Sequence, residues 1–117
     1  MKYYIYIVRC EDGSLYTGIT TDPRRRMREH VLHLPSGAKY TRSHQVVALA
    51  ALWSAENRSA ASMLEAAIKR LPSKKKRTLV QNPDLLCHVL STGFDADAYR
   101  AEPVFPLDDL LQDLSKQ

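Results

Sequence analysis

The stretch Tyr3-Tyr4-Ile5-Tyr6-Ile7-Val8-Arg9-Cys10-Glu11-Asp12-Gly13-Ser14-Leu15-Tyr16-Thr17-Gly18-Ile19-Thr20 decides how the chain begins to fold. Tyr3 to Arg9 is rich in tyrosine, isoleucine and valine, and Leu15 to Thr20 resumes the same β-prone composition. Between them, Glu11-Asp12-Gly13-Ser14 has the chemistry of a turn, so the segment predicts a β-hairpin. Tyr6 and Tyr16 would then lie on paired strands. Which face each occupies depends on register, and sequence does not fix it. Gly18 stands where a side chain would obstruct an approaching phosphate backbone or helix.

Outward from the hairpin, Thr21 or Asp22 can cap a helix, Pro23 suits its first position, and Arg24 to Leu34 follow before Pro35. Met27, Val31 and Leu34 form its apolar stripe, with Arg26 and His30 four apart beside it. Residues 35 to 42 read as a polar loop, and Val46 to Ser54 as a central strand apolar on both faces. A helix is expected from about Ser59 to Arg70, with Met63, Ala66, Ala67 and Leu71 inward. Ser73 is expected to cap a short basic helix, Lys74 to Val80. Asp84 to Leu90 is read as helical and Leu107 to Leu114 as a last helix, acidic at its start. The order β-β-α-β-α-α indicates an α+β fold, a three-stranded antiparallel sheet flanked by helices, with a C-terminal helical extension.

The 117 residues are 44% hydrophobic, enough for one core without staples. The expected division is a domain over residues 1–83 and an acidic extension over 84–117 packed on it. The longest apolar run, Val46 to Trp53, is far too short to span the roughly 30 Å hydrocarbon core of a bilayer. With no cleavable apolar leader at Met1 to Tyr6, a cytoplasmic protein without membrane association is expected. Cys10 and Cys87 belong to no metal-ligand cluster, and both are read as buried thiols. Residues 1–83 hold 15 Lys/Arg against 6 Asp/Glu, a charge of +9, whereas 84–117 carry −5. A basic field attracts polyanions but says nothing about chemistry.

The ordered pieces Tyr4-Ile5-Tyr6, Leu15-Tyr16-Thr17-Gly18-Ile19-Thr20 and Asp22-Pro23-Arg24-Arg25-Arg26-Met27-Arg28-Glu29-His30 carry more. Gly37-Ala38-Lys39-Tyr40-Thr41 and Ala61 to Lys69 continue them in order. Together, over about residues 3 to 82, they resemble the GIY-YIG nuclease superfamily, especially its small stand-alone bacterial members of the YhbQ/YazA type. Tyr4 replaces the first glycine of the name-giving triplet and Thr17 the isoleucine of the second. The resemblance implies a metal-dependent endonuclease acting on phosphodiesters of DNA, branched or single-stranded, in a setting such as repair. It implies Glu65 as the one protein ligand of a Mg²⁺ or Mn²⁺ ion and Arg26 as the guanidinium that grips phosphate. Tyr6 or Tyr16 would deprotonate or orient the attacking water, with His30 the competing base. A phenol near pKa 10 would need Arg26, the metal or His30 to lower that value.

Lys39, Tyr40 and Arg42 are candidates for contacting the nucleic-acid backbone, and a separate protein partner would supply targeting. Taken one at a time, each residue has an ordinary explanation: sheet-favoured tyrosines, a solvated arginine run, a surface carboxylate. The alternative reading is a non-catalytic nucleic-acid-binding module on the same scaffold.

Overall fold

In the computed structural model, residues 2–32, 44–90 and 95–107 are described. The hairpin forms as expected: β1 (Tyr3–Cys10) and β2 (Leu15–Thr20) are antiparallel, and Gly13 takes a φ of 85° in the turn between them. That backbone conformation is open to glycine and strained for residues with a Cβ. β3 (Val46–Ala55) pairs with the other side of β1. A two-residue strand, β4 (Arg100–Ala101), adds to the three strands expected and gives the order β2-β1-β3-β4. Two residues are too few to leave a period-two signal, so β4 is set by its pairing with Trp53 and Ser54.

Helix α1 (Pro23–Val31) is capped by Asp22, whose carboxylate accepts from Arg25 N–H, and Pro23 opens it. Helix α2 (Arg58–Lys69) is capped by Asn57. Its core face is Ala61, Leu64 and Ile68, whereas Met63 is 61% exposed. The inward face expected through Met63 is thus rotated, because alanines supply apolar positions all round this helix and the period leaves the face open. Helix α3 (Ser73–Gln81) includes Ser73 instead of being capped by it; Pro72 is the cap residue and no side chain bonds to it there. Asp84 to Leu90 is helical in two pieces, a 3₁₀ turn Pro83–Leu85 and α4 (Leu86–Val89). The last expected helix lies outside the described residues apart from buried Leu107.

Odd-numbered residues of β1 and even-numbered ones face opposite sides of the sheet, and both sides are covered. Ile5 and Ile7 pack with Trp53, Leu64, Ile68, Leu79, Leu86 and Leu90 beneath α2, α3 and α4. Tyr6, Val8 and Cys10 pack with Met27, Leu49, Leu52 and Leu107 beneath α1. The acidic segment therefore contributes Leu86, Leu90 and Leu107 to these cores. Tyr99 Oη also donates to the Ala60 carbonyl at 2.6 Å. Cys10 is buried as expected, but Cys87 is exposed, since the single turn of α4 turns Leu86 inward and its neighbour outward. Among the described residues no helix is long and apolar enough to cross a membrane.

Trp53 is fully buried and its indole N–H donates to the Pro83 carbonyl at 3.0 Å, tying the second half of the chain to β3. Replacing it with phenylalanine leaves that carbonyl unpaired and opens space. Trp53→Phe should cost about 1–3 kcal/mol, read as a lower urea midpoint at unchanged m.

Candidate functional site

The register places Tyr6 opposite Gly18 and Val8 opposite Tyr16. Directly opposed residues share a face, so both tyrosines lie on the side covered by α1. Their ring centroids are 6.5 Å apart. His30, one helical turn beyond Arg26, sets its ring edge against both, 5.5 Å from Tyr6 and 5.9 Å from Tyr16. Tyr6 and His30 are essentially inaccessible to solvent, at 0% and 1% exposure, while Tyr16 is half-buried.

The Tyr6 hydroxyl is the node of this cluster. Arg26 Nε–H donates to it at 3.2 Å, and it lies 2.9 Å from His30 Nε2. An arginine N–H can only donate, so the phenol hydrogen is assigned to His30 Nε2 and the remaining imidazole hydrogen to Nδ1. The ionisation states agree with that assignment. Burial holds His30 down at about 4, helped by the positive charge of Arg26, so the imidazole is neutral at pH 7. Burial pushes Tyr6 up to about 12, and the hydrogen bond and charge of Arg26 only partly oppose it. The expectation that neighbours would lower the phenol is reversed at Tyr6. Removing it from water costs its charged form more than one guanidinium returns. For Arg26 itself burial works against the charge, but the bonds to Tyr6 and Glu29 outweigh it and keep the guanidinium firmly protonated.

Gly18 makes room for this node. A Cβ built there would collide with Oη and Cζ of Tyr6, so the space serves the buried phenol.

Glu65 comes from α2, whose core face packs on the other side of the sheet. β2 is the sheet edge, and α2 packs against it. Glu65 pairs with Lys69 at 3.5 Å, Lys69 Nζ lies 5.9 Å from the centre of the Tyr16 ring, and the negative charge of Glu65 contributes to the rise at Tyr6. Five sequence-selected residues thus converge: Tyr6, Tyr16, Arg26, His30 and Glu65. The carboxylate is neither deeply buried nor unpaired, with 24% of its side chain exposed.

Among the described residues no three His, Cys, Asp or Glu side chains gather as a metal cage. One accessible carboxylate is nevertheless the donor set for a hard cation that keeps most of its waters and takes further oxygens from a phosphate. Glu65 fits such an ion as a single anchor.

Sequence reasoning missed two partners. Glu29 Oε1 takes a hydrogen bond from Arg26 Nη1 at 3.2 Å, and Lys69 bridges Glu65 and Tyr16. Their spacings of three from Arg26 and four from Glu65 were the available signal. Beside Arg26 an open groove of about 340 Å³ is lined by Thr20, Thr21, Arg25, Arg26, Glu29 and Arg58, among others. Lys39, Tyr40 and Arg42 lie outside the described residues.

A family model described as the GIY-YIG catalytic domain matches residues 2–78 of the chain. This protein belongs to the GIY-YIG family. Relatives of this GIY-YIG protein include a UPF0213 protein of Fusobacterium nucleatum, 45% identical over 84 residues, which are 72% of this chain and 82% of that one. A UPF0213 protein of Desulfotalea psychrophila is 49% identical over 79 residues, 68% of this chain and 71% of its own length. The solution NMR structure of a UPF0213 protein from Bacillus halodurans is similar at 40% identity and a TM-score of 0.42, covering 69% of this chain and 84% of that one.

Two outcomes test the node. Gly18→Ala should cost about 1–3 kcal/mol, as overpacking against a fixed ring does, and the displaced phenol should let the His30 titration seen by NMR move up from about 4 towards 6.5. Second, the unfolded chain protonates His30 near 6.5 while the folded one resists down to about 4, so the unfolded state binds more protons in that window. His30 therefore stabilises the fold fully above pH 6.5, and this contribution is lost as pH falls towards 4. Denaturant titrations of wild type and His30→Gln across that range should show a steeper acid loss in wild type.

Proposed function

We propose that this GIY-YIG protein is an endonuclease that hydrolyses phosphodiester bonds in DNA with the help of one divalent cation, Mg²⁺ or Mn²⁺, anchored by Glu65. The observation that carries the reading is the convergence of a guanidinium, an accessible phenol and a carboxylate from α1, β2 and α2 at one edge of the sheet.

Burial divides the residues into two groups. Tyr6 and His30 are covered, so they act as positioning residues: Tyr6 holds Arg26 Nε and His30 holds the Tyr6 hydrogen. Tyr16, Arg26 and Glu65 are open to solvent in part and are the catalytic residues. Arg26, with Nε fixed on Tyr6 and Nη1 on Glu29, presents an oriented cation at the groove wall. The Glu29 carboxylate holds an anion's place there, and a substrate phosphate oxygen replaces or shares it as charge builds in the transition state. Tyr16 orients the attacking water through its hydroxyl. When bound, the cation acidifies that water and neutralises charge on the phosphate and leaving oxygen. Arg25 and Arg58 extend the positive groove and position the flanking backbone.

Incubation of purified protein with branched and single-stranded DNA should give cleavage with Mg²⁺ or Mn²⁺ and none with chelator. Arg26→Ala and Glu65→Gln should each reduce kcat by about 10²–10³, the usual loss of one preorganised charge contact. Tyr16→Phe should lower kcat without changing stability, whereas Tyr6→Phe should also lower the denaturation midpoint, since it removes the buried hydroxyl that bonds both Arg26 Nε and His30 Nε2. Cleavage that survives both charge-removing substitutions, or salt-sensitive binding without any cleavage, would overturn the reading in favour of a binding module.

A further inference from the structure

The groove beside Arg26 has two kinds of wall. Arg25 and Arg26 of α1 and Arg58 at the start of α2 supply three guanidiniums against one carboxylate, Glu29, which already accepts from Arg26. Of the nearby acids, Asp22 accepts from the Arg25 backbone N–H as the cap of α1, and exposed Glu56 stands outside the lining. Among the described residues no carboxylate is within ion-pair distance of Arg25 or Arg58. Like charges drawn together from two helices repel, and an anion seated between them relieves that repulsion.

The other wall is apolar. Tyr3, at the start of β1, and Ile19, near the end of β2, line the same groove. Ile19 pairs with Ile5, so Tyr3, two residues before Ile5, shares its face and lies diagonal to it. Both side chains are half-buried and pack inward on the cluster that holds Ile5, Trp53 and Leu64, which fixes them as a platform. A track that only follows a phosphate backbone needs no such platform. An aromatic face beside guanidiniums is the combination that takes a base by stacking and its phosphate by charge. The volume, about 340 Å³, falls within the range of sites that enclose a small molecule. Arg26 belongs both to this groove and to the Tyr6 cluster, so whatever fills the groove adjoins the phosphate that Arg26 grips.

We infer that this groove seats a single nucleotide adjoining the cut, with its base laid on Tyr3 and Ile19 and its phosphate held by Arg25 and Arg58. This rests on the nuclease reading above and adds a specificity element to it. A base lying on Tyr3 has left the stack of its neighbours, and because every base has a π-face, Tyr3 registers that a base is present without reading which one.

The test uses the full chain and a branched DNA whose junction fixes the register. An abasic nucleotide, which keeps the phosphate and lacks the base, is walked one position at a time along the unpaired arm. Affinity is measured against salt in chelator, so this readout is independent of cleavage, and the cut is then mapped with Mg²⁺. Wild type should lose about tenfold in affinity when the abasic nucleotide stands at one position next to the cut, the loss of one base–aromatic stack. Tyr3→Ala should bind intact DNA about tenfold more weakly and lose nothing further on the abasic DNA, because both changes remove the same contact. Tyr3→Phe, which keeps the ring, should bind as wild type. Arg58→Ala, a change at an exposed position, should weaken both DNAs to the same extent and make the log–log salt slope shallower by about 0.7–0.9. Arg100→Ala, on β4 at the opposite edge of the sheet, should leave the slope in place. The wild-type walk and Arg58→Ala decide the matter even if far-UV CD shows Tyr3→Ala unfolded. No position sensitive to base loss, a sensitive position remote from the cut, additive losses in Tyr3→Ala, or an unaltered slope in Arg58→Ala overturns the groove while cleavage leaves the nuclease standing. The full binding pattern without cleavage supports the groove and removes the nuclease; a wild type that neither binds nor cleaves removes both.

Discussion

One buried hydroxyl organises this protein. Tyr6 Oη accepts from Arg26 Nε, donates to His30 Nε2 and occupies the volume that Gly18 leaves vacant. A phenol without solvent access has to satisfy its hydrogen bonds inside the protein, and each partner it finds is thereby fixed in place. α1 can sit on the sheet in only one rotation if Arg26 and His30 are both to reach that oxygen. The Arg26 guanidinium is thus oriented by the packing of the core.

The consequence is a separation between groups that build and groups that react. Burial drives Tyr6 towards about 12 and His30 towards about 4, each away from neutrality, so neither changes charge near pH 7. A constant charge state suits a scaffold and ill suits a general base, whose pKa belongs near the working pH. The groups open to solvent are Tyr16, Arg26 and Glu65, and Lys69 and Glu29 pair with the two charged members of that set.

Much of this could be read in advance, for identifiable reasons. Asp22-Pro23 and Asn57 mark helix starts because capping chemistry is local, and the hairpin follows from Gly13 between two β-prone runs. Arg26 and His30 on one helical face follow from their spacing of four. Misreadings came where local signals were degenerate: alanines around α2 concealed that Met63 points outward, and β4 is too short to have a pattern. Gly18 stands out in the sequence, but what it makes room for is a tyrosine of the facing strand, a partner that only register identifies.

The sequence by itself determined the elements, their order and the residue types available for chemistry, since helix caps, turns and side-chain periodicity act over a few residues. Only the tertiary structure decided which tyrosine is sealed and which is open, that Glu65 is brought through Lys69 to the neighbourhood of Tyr16, and that Lys76 faces the β1–β2 turn. Those outcomes depend on strand register and on the docking of helices against both faces of a sheet. They are long-range quantities, because desolvation and charge coupling act between groups that the chain brings together only when it is folded.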